Sequence, residues 1–198
     1  MGIDEDKRAT LRRFAAVGAA SPLAVVSSRD EDDNEVREAI LGYLGTTPGA
    51  HFSKIRDDLQ LGTGEAQYHL RRLRDDGAIV SHRDGDYRRY FPADRFTSYE
   101  QVVLGYLRRE TPRGMVVELL RDPEATGSDL AERLDVSRAT ISTYASQLRG
   151  VGILSTDDGY VIERPETVLT LLVRYADSFD DRVVTLATEA ASLVRYDP

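Results

Sequence analysis

The side chains best equipped for chemistry lie mid-chain: His82, Arg83, Arg88 and Arg89, interleaved with Tyr87 and Tyr90, and shortly before them Glu65, Gln67, Tyr68, Arg71 and Arg72. Guanidinium groups are permanent cations whose planar donors match phosphate oxygens and base edges, and Gln and Tyr add neutral donors and acceptors. This is the chemistry of recognition and charge neutralisation, not of bond making. Glu65 with Glu38, Asp57 or Asp58 would make a carboxylate pair, yet no nucleophile, phosphate loop or metal motif accompanies it. The chain has no cysteine, and its histidines are His51, His69 and His82, few possible ligands for a metal sensor. His69, beside Leu70, reads as a packed helix residue with no role of its own. No enzyme activity and no cofactor are expected.

A second set of polar residues follows at Ser137, Arg138, Thr140, Ser142, Thr143 and Gln147. Both sets need elements to hold them, and apolar spacing indicates which. Val36, Ile40, Leu41 and Leu44 recur at helical intervals until Pro48 and Gly49. Phe52, Ile55 and Leu59 predict a second helix. After a turn of Leu61, Gly62, Thr63 and Gly64, Ala66, Leu70 and Leu73 predict a third over residues 64–76, closed by Gly77. Residues 79–83 and 87–91 flank Asp84, Gly85 and Asp86 as a hairpin, ended by Pro92.

A connecting helix carries Tyr99, Val102, Val103, Tyr106 and Leu107 on one face, and the layout then repeats from Thr111 and Pro112. Met115, Val116, Leu119 and Leu120 mark its first helix. Leu130, Ala131 and Leu134 mark the second, and Ile141, Ala145 and Leu148 the third, with Ser137 as its cap. Residues 153–155 and 160–162 flank the turn Asp157, Asp158 and Gly159. Two helices rich in Val, Leu, Ala and Tyr follow Pro165. The expected fold is mainly α with small β-hairpins, divided into residues 1–33, 34–92, 93–110, 111–164 and 165–198.

Residues 1–33 admit two readings. Arg12 and Arg13 before the small apolar stretch 14–20 look somewhat like a twin-arginine export signal. The alternative is a short amphipathic helix over residues 4–19, burying Leu11, Phe14, Ala15 and Gly18 against the body or a second subunit. No apolar run reaches the ~18 residues of a membrane span.

The chain has 34 acidic and 26 basic residues in 198, and only Lys7 and Lys54 among the latter are lysine. That balance resembles proteins of cells with molar internal salt. It ordinarily argues against a nucleic-acid partner, because phosphate binding is charge neutralisation. In molar salt screening shortens to a few ångströms, and local charge outweighs net charge.

The run Ser137, Arg138, Ala139, Thr140, Ile141 and Ser142 resembles the helix-turn-helix of archaeal and bacterial winged-helix regulators, a likeness that covers residues 128–153 well. Tyr68, His69, Leu70, Arg71, Arg72 and Leu73 resemble a version common in archaeal regulators, although Gly62, Thr63 and Gly64 replace a firm Ser-type cap. The resemblance implies two tandem winged helix-turn-helix domains joined by a helix, a cytoplasmic location, and third helices entering the major groove of double-stranded DNA. It makes Thr63, Glu65, Gln67, Tyr68, Arg71 and Arg72, with Ser137, Arg138, Thr140, Ser142, Thr143 and Gln147, the candidate readers. His82, Arg83, Arg88 and Arg89 become wing contacts to phosphates or a narrow minor groove.

Competing readings stand beside it. Small polar residues also merely solvate helices, the wing arginines also form surface ion pairs with Asp75, Asp76, Asp84 and Asp86, and Asp157 and Asp158 would repel phosphates. A sequence-specific homodimeric regulator, its dimer built on residues 168–175 and 183–194, competes with a protein-interaction module of a chromosome-segregation or basal transcription complex. No small-molecule effector is legible.

Overall fold

Spacing at positions 36, 39, 40, 43 and 44 explains the first long element of the fold: Val36, Ala39, Ile40, Tyr43 and Leu44 lie on one helical stripe, and all are buried. The computed structural model describes residues 2–18, 31–156 and 159–193. They divide into two compact units between Gln101 and Val102. No helix among the described residues is long and apolar enough to cross a membrane.

The first unit runs α1 (Gly2–Gly18), α2 (Glu31–Thr46), β1 (Ala50–His51), α3 (Phe52–Asp58), α4 (Thr63–Asp75), β2 (Ile79–Asp84) and β3 (Tyr87–Pro92). α1 lies along α2: Leu11 is buried in the common core and Phe14 meets Tyr43 edge-on at 5.3 Å. These contacts belong to the amphipathic-helix reading of the N-terminal segment; the rest of the apolar stretch on which an export signal would rest lies outside the described residues.

Ile55 from α3, Leu59 at its C-terminal cap, Ala66, Leu70 and Leu73 from α4, and Ile79 join the core. The strands order β1-β3-β2, all antiparallel. β1, two residues long, is absent from the sequence reading because it is too short to show alternation. The turn is tighter than expected: Asp84 joins β2, paired with Tyr87, and only Gly85 (φ 58) and Asp86 connect the strands.

α5 (Ser98–Leu107) spans the division between the units. The second unit continues with α6 (Glu110–Arg121), α7 (Gly127–Arg133), α8 (Arg138–Gly150), β4 (Leu154–Ser155), β5 (Val161–Ile162), α9 (Pro165–Arg174), one 3-10 turn at Ala176–Ser178, and α10 (Asp181–Leu193). β4 and β5 pair Leu154 with Ile162 and Ser155 with Val161. Asp157 and Asp158 of the expected turn lie outside the described residues.

α9 and α10 complete this unit's own core. Val168, Leu171, Leu172, Tyr175, Val183 and Leu186 are buried, and Arg113 of α6 donates twice to Asp180, at 2.7 and 3.1 Å. The apolar side chains expected to face a second subunit are therefore largely spent within one chain.

Candidate nucleic-acid interface

α4 and α8 are the same device built twice. When Gly62 is laid on Ser137, buried Ala66, Leu70 and Leu73 fall on buried Ile141, Ala145 and Leu148. The preceding turns also agree. Gln60 (φ 54) and Asp135 (φ 53) are both left-handed, and Leu61 and Val136 donate back to the carbonyls of Arg56 and Ala131 at 2.9 and 3.0 Å. Both helices end alike, with Gly77 and Gly152 at positive φ, and Ala78 and Ile153 donating to the carbonyls of Leu73 and Leu148.

The two N-termini are satisfied by different chemistry. Ser137 Oγ accepts the Thr140 N–H at 3.0 Å, as a serine cap does. Gly62 has no side chain to do this. Glu65 instead reaches back, and its Oε2 accepts the Gly62 N–H at 2.9 Å. Lys7 of α1 donates to both Glu65 oxygens at 2.9 Å. Burial alone would raise the Glu65 carboxyl, but the Gly62 N–H and the Lys7 ammonium outweigh it and hold the group below its usual range. Glu65 is thus occupied by its own chain.

The remaining outward face of α4 carries Thr63, Gln67, Tyr68, Arg71 and Arg72, all exposed. Arg72 donates to the Tyr68 hydroxyl at 2.8 Å with its guanidinium over that ring, so the two stand as one group. Arg74, which sequence reading passed over, lines with Gln67 and Arg71 an open groove of about 300 Å³ whose other walls are Phe52, Leu70 and Tyr90. Its counterpart on α8, Arg149, is exposed too, as is Ser146 opposite Arg71. Laying one third helix on the other would have found all three in the sequence.

On the wing the four candidates part company. Arg83 and Arg88 are exposed, Arg83 donating only to the nearby Gly85 carbonyl at 3.3 Å. His82 is half-buried, paired across the ladder with Arg89. Arg89 is 2% exposed, its guanidinium bonded to the Asp84 carboxylate and, at 3.1 Å, to the Gly49 carbonyl. It ties the hairpin to the turn after α2, and the Asp84 named as a surface acid is its interior partner. Tyr87, 49% exposed, leans on His51 at 4.9 Å between ring centres.

On α8, Ser137, Arg138, Ser142, Thr143 and Gln147 are exposed and Thr140 half-buried. Thr143 Oγ1 donates to the Ala139 carbonyl at 2.8 Å, and the Ser137 and Thr140 hydroxyls meet at 2.9 Å. Of these candidates, Arg138, Ser142 and Gln147 make no such local bond with a described residue.

Arg37, Arg56, Arg89, Arg113 and Arg133 each face a carboxylate. Arg71, Arg88 and Arg138, which point out from two third helices and one wing, make no ion pair with any described residue. A helix end and a hairpin bearing unneutralised guanidinium groups form a surface shaped for a polyanion.

Residues 34–104 match a family described as an N-terminal HTH domain, and residues 115–163 match one described as an HTH domain. No curated protein and no solved structure matches the chain. The first match runs from α2 through the wing of the first unit into α5, and the second from α6 to the wing of the second. The chain carries two winged helix-turn-helix domains in tandem, of the DNA-binding kind.

Proposed function

We propose that this is a sequence-specific transcription regulator in which the first domain grips double-stranded DNA through α4 and the β2–β3 wing. The observation that carries the reading is that Arg71 and Arg88, on the two elements that would meet DNA, make no ion pair with any described residue, whereas Arg37, Arg56 and Arg89 of the same domain each face a carboxylate. In this reading Thr63, Gln67, Tyr68 and Arg72 face base edges, and Arg71, Arg83 and Arg88 face phosphates. Arg138, Ser142 and Gln147 of the second domain supplement them. The reading places the chain with the chromosome in the cytoplasm, and its acidic, lysine-poor composition suits the salt-rich interior of a halophilic archaeon.

A homodimer belongs to the reading because one winged helix covers a half-site, while a twofold pair reads both halves of a palindrome. With the inner faces of α9 and α10 largely spent, Val173 and Val184 are large apolar residues left outward among the described side chains of those helices, 38% and 39% exposed.

The test is selection of duplexes from a random pool by the wild-type chain. A shared motif is expected, together with release of the selected duplex by the double variant Arg71→Ala, Arg88→Ala. Recovery of no common motif would favour the protein-interaction module.

A further inference from the structure

α1 lies ahead of the matched domain, yet it touches the end of the helix expected to read DNA. Two independent contacts seat it. Leu11, 4% exposed, and Phe14 enter the core beside α2, and Arg12 approaches Glu35 at 3.4 Å. From that seat Lys7 spans to Glu65 with both oxygens engaged at 2.9 Å.

The comparison of the two domains explains the need for it. Where the second domain has Ser137, a neutral cap, the first has Gly62 and borrows the Glu65 carboxylate. The carboxylate accepts the N–H of Gly62 itself and sets a negative charge at the N-terminal end of α4, the end that enters the groove in helix-turn-helix proteins. An unneutralised carboxylate there would repel the phosphates that Arg71 and Arg88 are to attract. Thr140, the counterpart of Glu65 on α8, carries no charge and has no such partner.

Resting on the DNA-binding reading above, we propose that Lys7 is a positioning residue for DNA recognition: it cancels and fixes the Glu65 carboxylate, so that this group caps α4 without repelling DNA. α1 is then a working part of the first domain.

The experiment measures the affinity of the full chain for a duplex selected by the wild type, across a salt series. Lys7→Ala should weaken binding about fivefold at low salt, the scale of one exposed charge interaction, and the difference should shrink as salt rises. The double variant Lys7→Ala, Glu65→Gln keeps an oxygen to accept the Gly62 N–H but removes the charge, and should restore affinity. Binding by Lys7→Ala equal to wild type would overturn the proposal. So would failure of Glu65→Gln to restore it, which would make Lys7 a direct DNA contact. Hydrogen exchange of the Gly62 amide in the free chain gives a readout without DNA: Lys7→Ala should speed it, and an unchanged rate would sink the fixing role. A wild type that binds no duplex refutes the regulator function, while the exchange result still decides the role of Lys7.

Discussion

Adjacent residues of one strand have opposite fates here, and a strand's alternation is the reason. Arg88 points to solvent without an ion pair, whereas Arg89 points inward to Asp84 and the Gly49 carbonyl. A run of Arg-Arg read as sequence cannot separate them, because a buried arginine with a buried carboxylate leaves no apolar signature. The substitutions should separate them cleanly. Arg88→Ala should leave the urea midpoint unchanged and reduce by about one the slope of log affinity against log salt, the effect of one phosphate contact. Arg89→Ala takes from the buried Asp84 carboxylate its guanidinium partner, and should cost about 3–5 kcal/mol of stability. Equal loss of stability in both variants would mean that Arg88 is part of the fold and not of the interface.

At the scale of elements, the helices and wings are legible because their apolar residues recur at clear periods, and the C-terminal cap of α4 because Gly77 stands where a left-handed residue is needed. The turn before α4 was misjudged in one respect. It looked irregular for want of a serine, but its backbone follows the turn before α8, and only the group that satisfies the helix end differs. The partner of Glu65 lies far back in the chain, at Lys7, so no local pattern could reveal it. β1 and the exposed Arg74 were likewise hidden, one by brevity and one by lying off the stripe considered.

The seat of α4 also carries a titratable group. His69 is 3% exposed, and its Nδ1 lacks a hydrogen-bond partner among the described residues. Asp33 Oδ1, 3.7 Å from Nε2, favours the protonated ring, but burial wins and holds the pKa below the ordinary histidine value of 6.5. His51 is shifted the same way, by burial and then by Arg89 and Lys54. The folded state therefore takes these protons less readily than the unfolded chain does. Stability should be level well above pH 6.5 and should fall below it as the unfolded state protonates first, by no more than about 1.4 kcal/mol per pH unit for each histidine. Urea midpoints at pH 7.5 and 5.5 check this. His69→Leu should lessen the fall, and an identical fall in that variant would remove His69 from the account.

The whole molecule presents a harder electrostatic problem, since a chain of net charge −8 is expected to hold a polyanion. Arg71, Arg72, Arg83 and Arg88 are the outward guanidinium groups of the first domain's reading helix and wing, apart from Arg74, which has Asp75 at 3.6 Å. Arg37, Arg56, Arg89, Arg113, Arg121 and Arg133 face carboxylates of their own chain, so the attraction is local and the repulsion general. Screening removes the general part first: a Debye length of about 10 Å at 0.1 M salt falls to about 3 Å at 1 M, near contact distance. If Arg71, Arg83 and Arg88 each meet one phosphate, log affinity should fall against log salt with a slope of about −2.7 per chain, well short of that for a protein making eight or ten such contacts. The double variant Arg71→Ala, Arg88→Ala should bring the slope to about −0.9. Titration of a labelled duplex from 0.1 M to 2 M salt measures both values. A wild-type slope steeper than about −6 would mean that arginines now assigned to internal ion pairs break them to reach DNA. The sorting of charges seen in the free chain would then not describe the bound one.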